Sequence, residues 1–155
     1  MQLLADARND VIIRTLDQVR NTRSAEHLWT TKLIVVDEAN QATEPETIMP
    51  FQLADDDTHI VLIGDQMQLG PRVVSKLANS RGLGISMFER LTQVDGIGAC
   101  MLTVQYRMHE SICHWPSQEF YVGRLFTDSS LRFRERVKGF PLAFGLRFGI
   151  CRYSR

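Results

Sequence analysis

A chain of 155 residues has room for one compact domain, or for one domain and part of a second. Hydrophobic residues at 44% and charged residues at 23% are ordinary for a globular core and exclude a disordered chain, while a net charge of zero removes any whole-chain electrostatic case for nucleic acid. The start, Met1-Gln2-Leu3-Leu4-Ala5-Asp6, is too short and too soon charged for a signal peptide, and no apolar run reaches bilayer length. Cys100, Cys113 and Cys151 are odd in number and far apart, which suggests neither a disulfide framework nor a zinc ribbon. A soluble, reducing compartment is therefore expected.

Four short apolar runs follow one another along the chain: Val11–Ile13, Leu33–Val36, Ile60–Ile63 and Met101–Val104. They are mostly unbroken rather than alternating, which predicts strands buried on both faces of a parallel sheet. Between them, Thr43-Glu44-Pro45-Glu46 reads as a capping box with proline in the first helical turn, where a missing N–H costs little. Ser86-Met87-Phe88-Glu89 repeats the capping pattern, and Ile85, Phe88 and Leu91 then form an apolar stripe. Alternating strands and helices predict an α/β sheet with right-handed crossovers, whose ligand lies at the carboxyl ends of the strands. Two strands run into acids at that edge: Leu33–Val36 into Asp37-Glu38, and Ile60–Ile63 into Gly64-Asp65. From Leu131 onward periodicity is lost. Residues 131–155 hold Arg132, Arg134, Arg136, Lys138, Arg147, Arg152 and Arg155 against Glu135, so seven positive charges less one negative give +6. A basic end can attract phosphate backbones, and reads equally as a solvated segment.

Leu33-Ile34-Val35-Val36-Asp37-Glu38-Ala39 has the form of a Walker B strand. The acid at its end can hold a Mg²⁺ that bridges nucleotide phosphates, and Glu38 can orient the attacking water. Taken alone, it reads equally as a buried strand running into an acidic helix start. In Gly64-Asp65-Gln66-Met67-Gln68-Leu69-Gly70-Pro71 the neutral Gln68 can report a γ-phosphate without adding charge; the plain alternative is a strand-to-helix turn. Gln105-Tyr106-Arg107-Met108-His109 offers an aromatic face for a base and a planar cation for phosphate oxygens. By itself Tyr106 is more often a core or surface aromatic, and His109 reads as a partly exposed helix-start residue.

In this order and spacing, Asp37-Glu38-Ala39-Asn40-Gln41-Ala42, Gly64-Asp65 with Gln68-Leu69 and Pro71, and Gln105-Tyr106-Arg107-Met108-His109 resemble motifs II, III and IV of superfamily 1 helicases. The nearest group is the nonsense-mediated-decay helicase and senataxin-like branch. Thr15-Leu16, Ser86–Leu91 and Phe120-Tyr121 with Gly123 and Leu125 extend the likeness over roughly residues 10–126. The resemblance implies an α/β fold that is part of a RecA-like P-loop NTPase domain, a parallel sheet with flanking helices, plus a stub of a second lobe. Residues 1–106 would be the C-terminal part of the first lobe, and residues 107–155 the junction and incomplete start of the second. It implies ATP and Mg²⁺ as cofactors, with Asp37 as metal ligand, Glu38 as catalytic carboxylate and Gln68 at the γ-phosphate. Tyr106 would stack on the nucleotide base and Arg107 contact the γ-phosphate. Thr15, Pro71 and Arg72 would lie toward single-stranded RNA or DNA, gripped through backbone charge and base stacking.

The sequence carries no GxxxxGK[ST] loop, and the chain begins after the place where the family carries it. The second lobe's arginine finger, worth about 10³–10⁵ in rate, is not recognisable in residues 127–155. The expectation is thus a fragment of an ATP-dependent helicase motor, inactive alone and joined to other domains of a larger chain, in cytoplasm or nucleus. The alternative is a non-catalytic module of the same fold that binds nucleic acid or a partner. An exposed apolar sheet edge would make the isolated chain poorly soluble or partly unfolded.

Overall fold

The computed structural model describes residues 11–19 and 31–131. The N-terminal hexapeptide and the basic stretch after Leu131 lie outside them. The chain divides into two compact units, Met1–Ala99 and Cys100–Arg155.

In the first unit, a one-turn helix α1 (Leu16–Val19) precedes β1 (Leu33–Val36), α2 (Glu44–Ile48) and a 3-10 turn (Met49–Leu53). Then come β2 (His59–Leu62), α3 (Lys76–Ala78) running into a π turn (Asn79–Leu83), and α4 (Met87–Thr92). β1 and β2 pair in parallel, Leu33 opposite His59 through Val36 opposite Leu62, as the connecting helix requires. Thr58 sets the entry to this register: its hydroxyl donates to the Thr31 carbonyl at 2.6 Å, and the His59 N–H donates to the Lys32 carbonyl at 3.0 Å. β2 begins one residue earlier than its apolar run because that register recruits His59.

The capping box forms at Thr43, whose backbone N–H donates to a Glu46 carboxylate oxygen at 2.8 Å, with Pro45 in the first turn. Ser86 caps α4 by accepting from the Glu89 N–H at 3.0 Å. A bidentate pair, Arg90 Nη2 and Nε to the Glu44 carboxylate at 2.6 and 2.9 Å, then ties α4 to α2.

Three expectations change. Val11–Ile13 is not a strand but exposed, irregular chain leading into α1. With no neighbouring strand paired to it, its β-branched side chains have no sheet to pack on. The sheet is also not buried on both faces. In β1, Ile34 and Val36 are buried beneath Leu16, Phe51, Ala54 and Phe88, whereas Leu33 and Val35 are half exposed. Elements pack on one face among the described residues, so a continuous apolar run acquires an alternating environment. On α4, Met87 is buried and Phe88 meets the core, while Ile85 stays exposed.

The second unit holds β3 (Val104–Gln105), α5 (Glu110–Tyr121) and β4 (Phe126–Thr127). β3 pairs in parallel with β4, Val104 opposite Phe126. Only its first residue, Val104, falls in the Met101–Val104 run, because β4 offers two partners and no more. His109 is exposed and caps α5, its Nδ1 accepting from the Ser111 N–H at 3.2 Å. Ser117, buried in α5, bonds both the N–H and the carbonyl of Leu125 at 3.1 and 3.2 Å and so aims the chain into β4.

Candidate functional site

The acids stand where a parallel sheet presents its carboxyl edge. The ladder runs past the end of β1: Ile63 N–H donates to the Val36 carbonyl at 2.9 Å, and Ala39 N–H donates to the Ile63 carbonyl at 2.8 Å. These two bonds clamp the segment Asp37-Glu38 between them and leave both side chains exposed. Asp37 Oδ1 accepts from the Glu38 N–H at 3.0 Å, while its Oδ2 has no hydrogen-bond partner among the described residues. Glu38 adopts a left-handed backbone, φ 52°, which costs an L-residue on the order of 1–2 kcal/mol. Its carboxylate accepts from Gln41 Nε2 at 2.9 Å. Asp37 and Glu38 open onto a cleft of about 300 Å³ shared with Thr15, Asp17, Gln41 and Glu46.

From the end of β2 the chain turns through Gly64-Asp65. Asp65 organises this loop by accepting from the Met67 N–H at 3.0 Å and from Gln68 Nε2 at 2.7 Å. Gln68 is exposed. Pro71 and Arg72 follow, Arg72 exposed. The residue that joins the two strand ends is Asn40, 2% exposed, whose Oδ1 accepts from the Asp65 N–H and whose Nδ2 donates to the Leu69 carbonyl, both at 3.1 Å.

Tyr106 and Arg107 belong to the second unit, and both are exposed. The turn that carries them is folded around Gln105. Its Oε1 accepts from the N–H groups of Arg107 and Met108 at 2.9 and 2.7 Å, and its Nε2 donates to the Met108 carbonyl and Thr127 Oγ1, both at 2.6 Å. Asn40 and Gln105 escaped the sequence reading as organisers. The available signal was an amide-bearing residue next to each motif's charged positions, since a carboxamide can satisfy a donor and an acceptor at once.

The donor set suits a magnesium nucleotide. Mg²⁺ takes one or two carboxylates and completes its shell with phosphate and water oxygens, so one open Asp37 oxygen at an exposed strand end is enough. Among the described residues no cluster of three or more metal-ligating side chains exists to enclose an ion by protein alone.

Parallel strands, flanking helices and acids at the shared carboxyl edge define a partial RecA-like α/β domain, the NTPase fold of helicase motors. Two family models, each described as an AAA domain, match residues 4–76 and 83–145. The chain is 46% identical over 92 residues to the regulator of nonsense transcripts 1 homolog of Arabidopsis thaliana, an overlap of 59% of this chain and 7% of that protein. It is 41% identical over 124 residues to regulator of nonsense transcripts 1 of Caenorhabditis elegans, covering 80% of this chain and 11% of that protein. It is 47% identical over 100 residues to the 3'-5' exoribonuclease HELZ2 of Mus musculus, covering 64% of this chain and 3% of that protein. The chain belongs to the superfamily 1 helicases, in the group of the nonsense-mediated-decay helicase. It spans a small part of the length of these relatives. Among the described residues no helix is long and apolar enough to cross a membrane.

Proposed function

We propose that this chain forms part of the ATP-hydrolysing motor of a nucleic-acid helicase, coupling turnover of Mg²⁺-ATP to movement on single-stranded RNA or DNA. The observation that carries the reading is the fixed juxtaposition of two parallel strand ends, one bearing Asp37-Glu38 and the other the Asp65–Gln68 loop. Bound Mg²⁺ supplies neutralisation of charge on the phosphate oxygens. Asp37 would hold the metal at the end of β1. Glu38, fixed in direction by its clamped backbone, accepts a hydrogen bond from water and orients it for in-line attack. Gln68 offers a neutral amide to the γ-phosphate, which its bond to Asp65 holds at the loop's surface. Tyr106 stacks on the base and Arg107 meets phosphate oxygens, presented together by the Gln105 turn. Thr15, Pro71 and Arg72 face the nucleic-acid strand. Residues 1–106 are assigned to the first RecA-like lobe and residues 107–155 to the junction and start of the second, within a larger chain acting in cytoplasm or nucleus.

The test is Mg²⁺-ATP hydrolysis by the purified chain, with and without single-stranded RNA and DNA, beside Glu38→Gln. Strand-stimulated turnover that Glu38→Gln abolishes supports the motor reading. No turnover by an intact fold leaves the helicase ancestry standing and assigns the chain to an inactive fragment of the motor or to a non-catalytic module of the helicase fold.

A further inference from the structure

We propose that Asn40 is a positioning residue: it locks the Gln68 loop to the acidic end of β1, so that Gln68 and the Asp37-Glu38 pair address one phosphate group together. The inference rests on the γ-phosphate role proposed for Gln68.

Asn40 lies two residues past Glu38 and is almost wholly buried. A buried carboxamide is costly unless its donor and acceptor are both satisfied, and here both are satisfied by the same loop. The acceptor, Oδ1, takes the N–H of Asp65 at 3.1 Å, and the donor, Nδ2, reaches the carbonyl of Leu69 at 3.1 Å. These contacts bracket Gln68, at the first and last residues of the five-residue segment 65–69. Their chemistry fixes the amide's orientation, because an N–H must meet oxygen and a carbonyl must meet NH₂. Gly64 brings the backbones close enough for this: a Cβ there would stand 2.8 Å from Asn40 Oδ1. Asp65 in turn holds the Gln68 amide at 2.7 Å. The backbone from Glu38 to Asn40, the Asn40 bonds to the Asp65–Leu69 loop and the Asp65–Gln68 bond thus link the end of β1 to Gln68, without a charged group in the buried part. Alanine at position 40 would leave the turn after β1 in place and delete both arms. Aspartate is isosteric and keeps the arm to Asp65, while setting a carboxylate oxygen against the Leu69 carbonyl.

The experiment uses the 155-residue chain, with amide hydrogen exchange read without nucleotide and with binding of a fluorescent Mg²⁺-ATP analogue. Variants are Asn40→Ala, Asn40→Asp, Gln68→Ala and the double Asn40→Ala/Gln68→Ala. Loss of a buried hydrogen bond is expected to speed exchange at the Asp65 amide about tenfold or more in Asn40→Ala. In Asn40→Asp that amide stays protected. The Ile63 amide, in the β1–β2 ladder, keeps its wild-type rate in both, a readout that a merely structural residue would not leave unmoved. Asn40→Ala and Gln68→Ala each weaken the analogue by about the same factor, and the double variant is no weaker than either. Losses that multiply in the double variant, or an Asp65 amide that exchanges at the wild-type rate in Asn40→Ala, overturn the inference alone. A Gln68→Ala chain that binds as wild type does refutes the phosphate role of Gln68, and the inference with it.

Discussion

Gly64→Ala sets two opposing effects against each other, and the structure decides which wins. The backbone at Gly64 is not in the left-handed region, so alanine is conformationally admissible there. By restricting the unfolded chain, such a change ordinarily stabilises by about 0.4–1 kcal/mol. Against this, the added methyl meets Asn40 Oδ1 at 2.8 Å, the Asn40 backbone nitrogen at 3.0 Å and the Ala39 nitrogen at 3.4 Å. Asn40 cannot swing aside, because both ends of its amide are bonded, and the backbone nitrogens belong to the clamped strand end. Overpacking of this kind costs about 1–3 kcal/mol. The net expectation is a destabilisation of about 1–2 kcal/mol, read as a fall of roughly 0.5–1 M in the urea midpoint for a slope near 2 kcal/mol/M. Gly84→Ala is the control. A methyl there would press even harder on the side-chain oxygen of Asn79, but that oxygen ends an exposed, rotatable side chain, so the expected change is within about 0.5 kcal/mol. A Gly64→Ala chain as stable as wild type, or a Gly84→Ala chain more damaged than it, would falsify the argument that Asn40 is immobile.

Glu38→Gly relieves the left-handed backbone and is expected to raise stability by up to about 1 kcal/mol in urea titrations. A Glu38→Gly chain no more stable than wild type would show that Glu38 is not strained. Val122→Gly should stabilise the second unit by about 1 kcal/mol, since a β-branched residue there holds φ 53° at the end of α5 with its side chain exposed; an unchanged melting curve counts against this. Acid sensitivity should trace partly to Glu44, whose hydrogen bond with Arg90 holds its carboxyl below the ordinary value of 4.5. A depressed folded pKa contributes stability above the unfolded value and loses it as pH falls. Glu44→Gln should therefore be less stable than wild type at neutral pH and converge with it in the acid range, and curves that stay parallel would rule the pair out.

The parts of the fold legible in the sequence were those fixed by local chemistry. Thr43 with Glu46, and Ser86 with Glu89, satisfy helix-end amides from within four residues, so their geometry follows from spacing alone. Leu33–Val36 ending in Asp37 was legible because a strand end and its acid are adjacent in sequence. Val11–Ile13 misled for the converse reason. A β-branched triplet records a preference for a pleated surface, and whether a neighbouring strand supplies one is a long-range fact. The two-sided burial expected of β1 failed on the same ground: Leu33 and Val35 are as apolar as Ile34 and Val36, and their exposure depends on which elements pack where. At the candidate site the charged positions stood out. The amides that hold them, Asn40 and Gln105, did not, because their partners lie 22 to 29 residues away or are backbone atoms of a turn.

Apolar packing is not what fixes the geometry of this site. Among the described residues, Ile34, Val36 and Ala39 form the first unit's buried apolar cluster, and the two strands paired there make a marginal sheet on their own. What fixes Asp37-Glu38 against the Asp65–Gln68 loop is instead polar: two ladder bonds at Ala39 and Ile63, and two side-chain bonds at Asn40. Hydrogen bonds are directional, and a buried one is costly to break, so a few of them define distance and angle better than an equal energy of apolar contact. That arrangement suits a group whose task is to sense a phosphate. It also explains why the one strained backbone among the strand-end acids, at Glu38, is tolerated. The residue is held on both sides by ladder bonds, whose energy offsets the cost of its left-handed conformation.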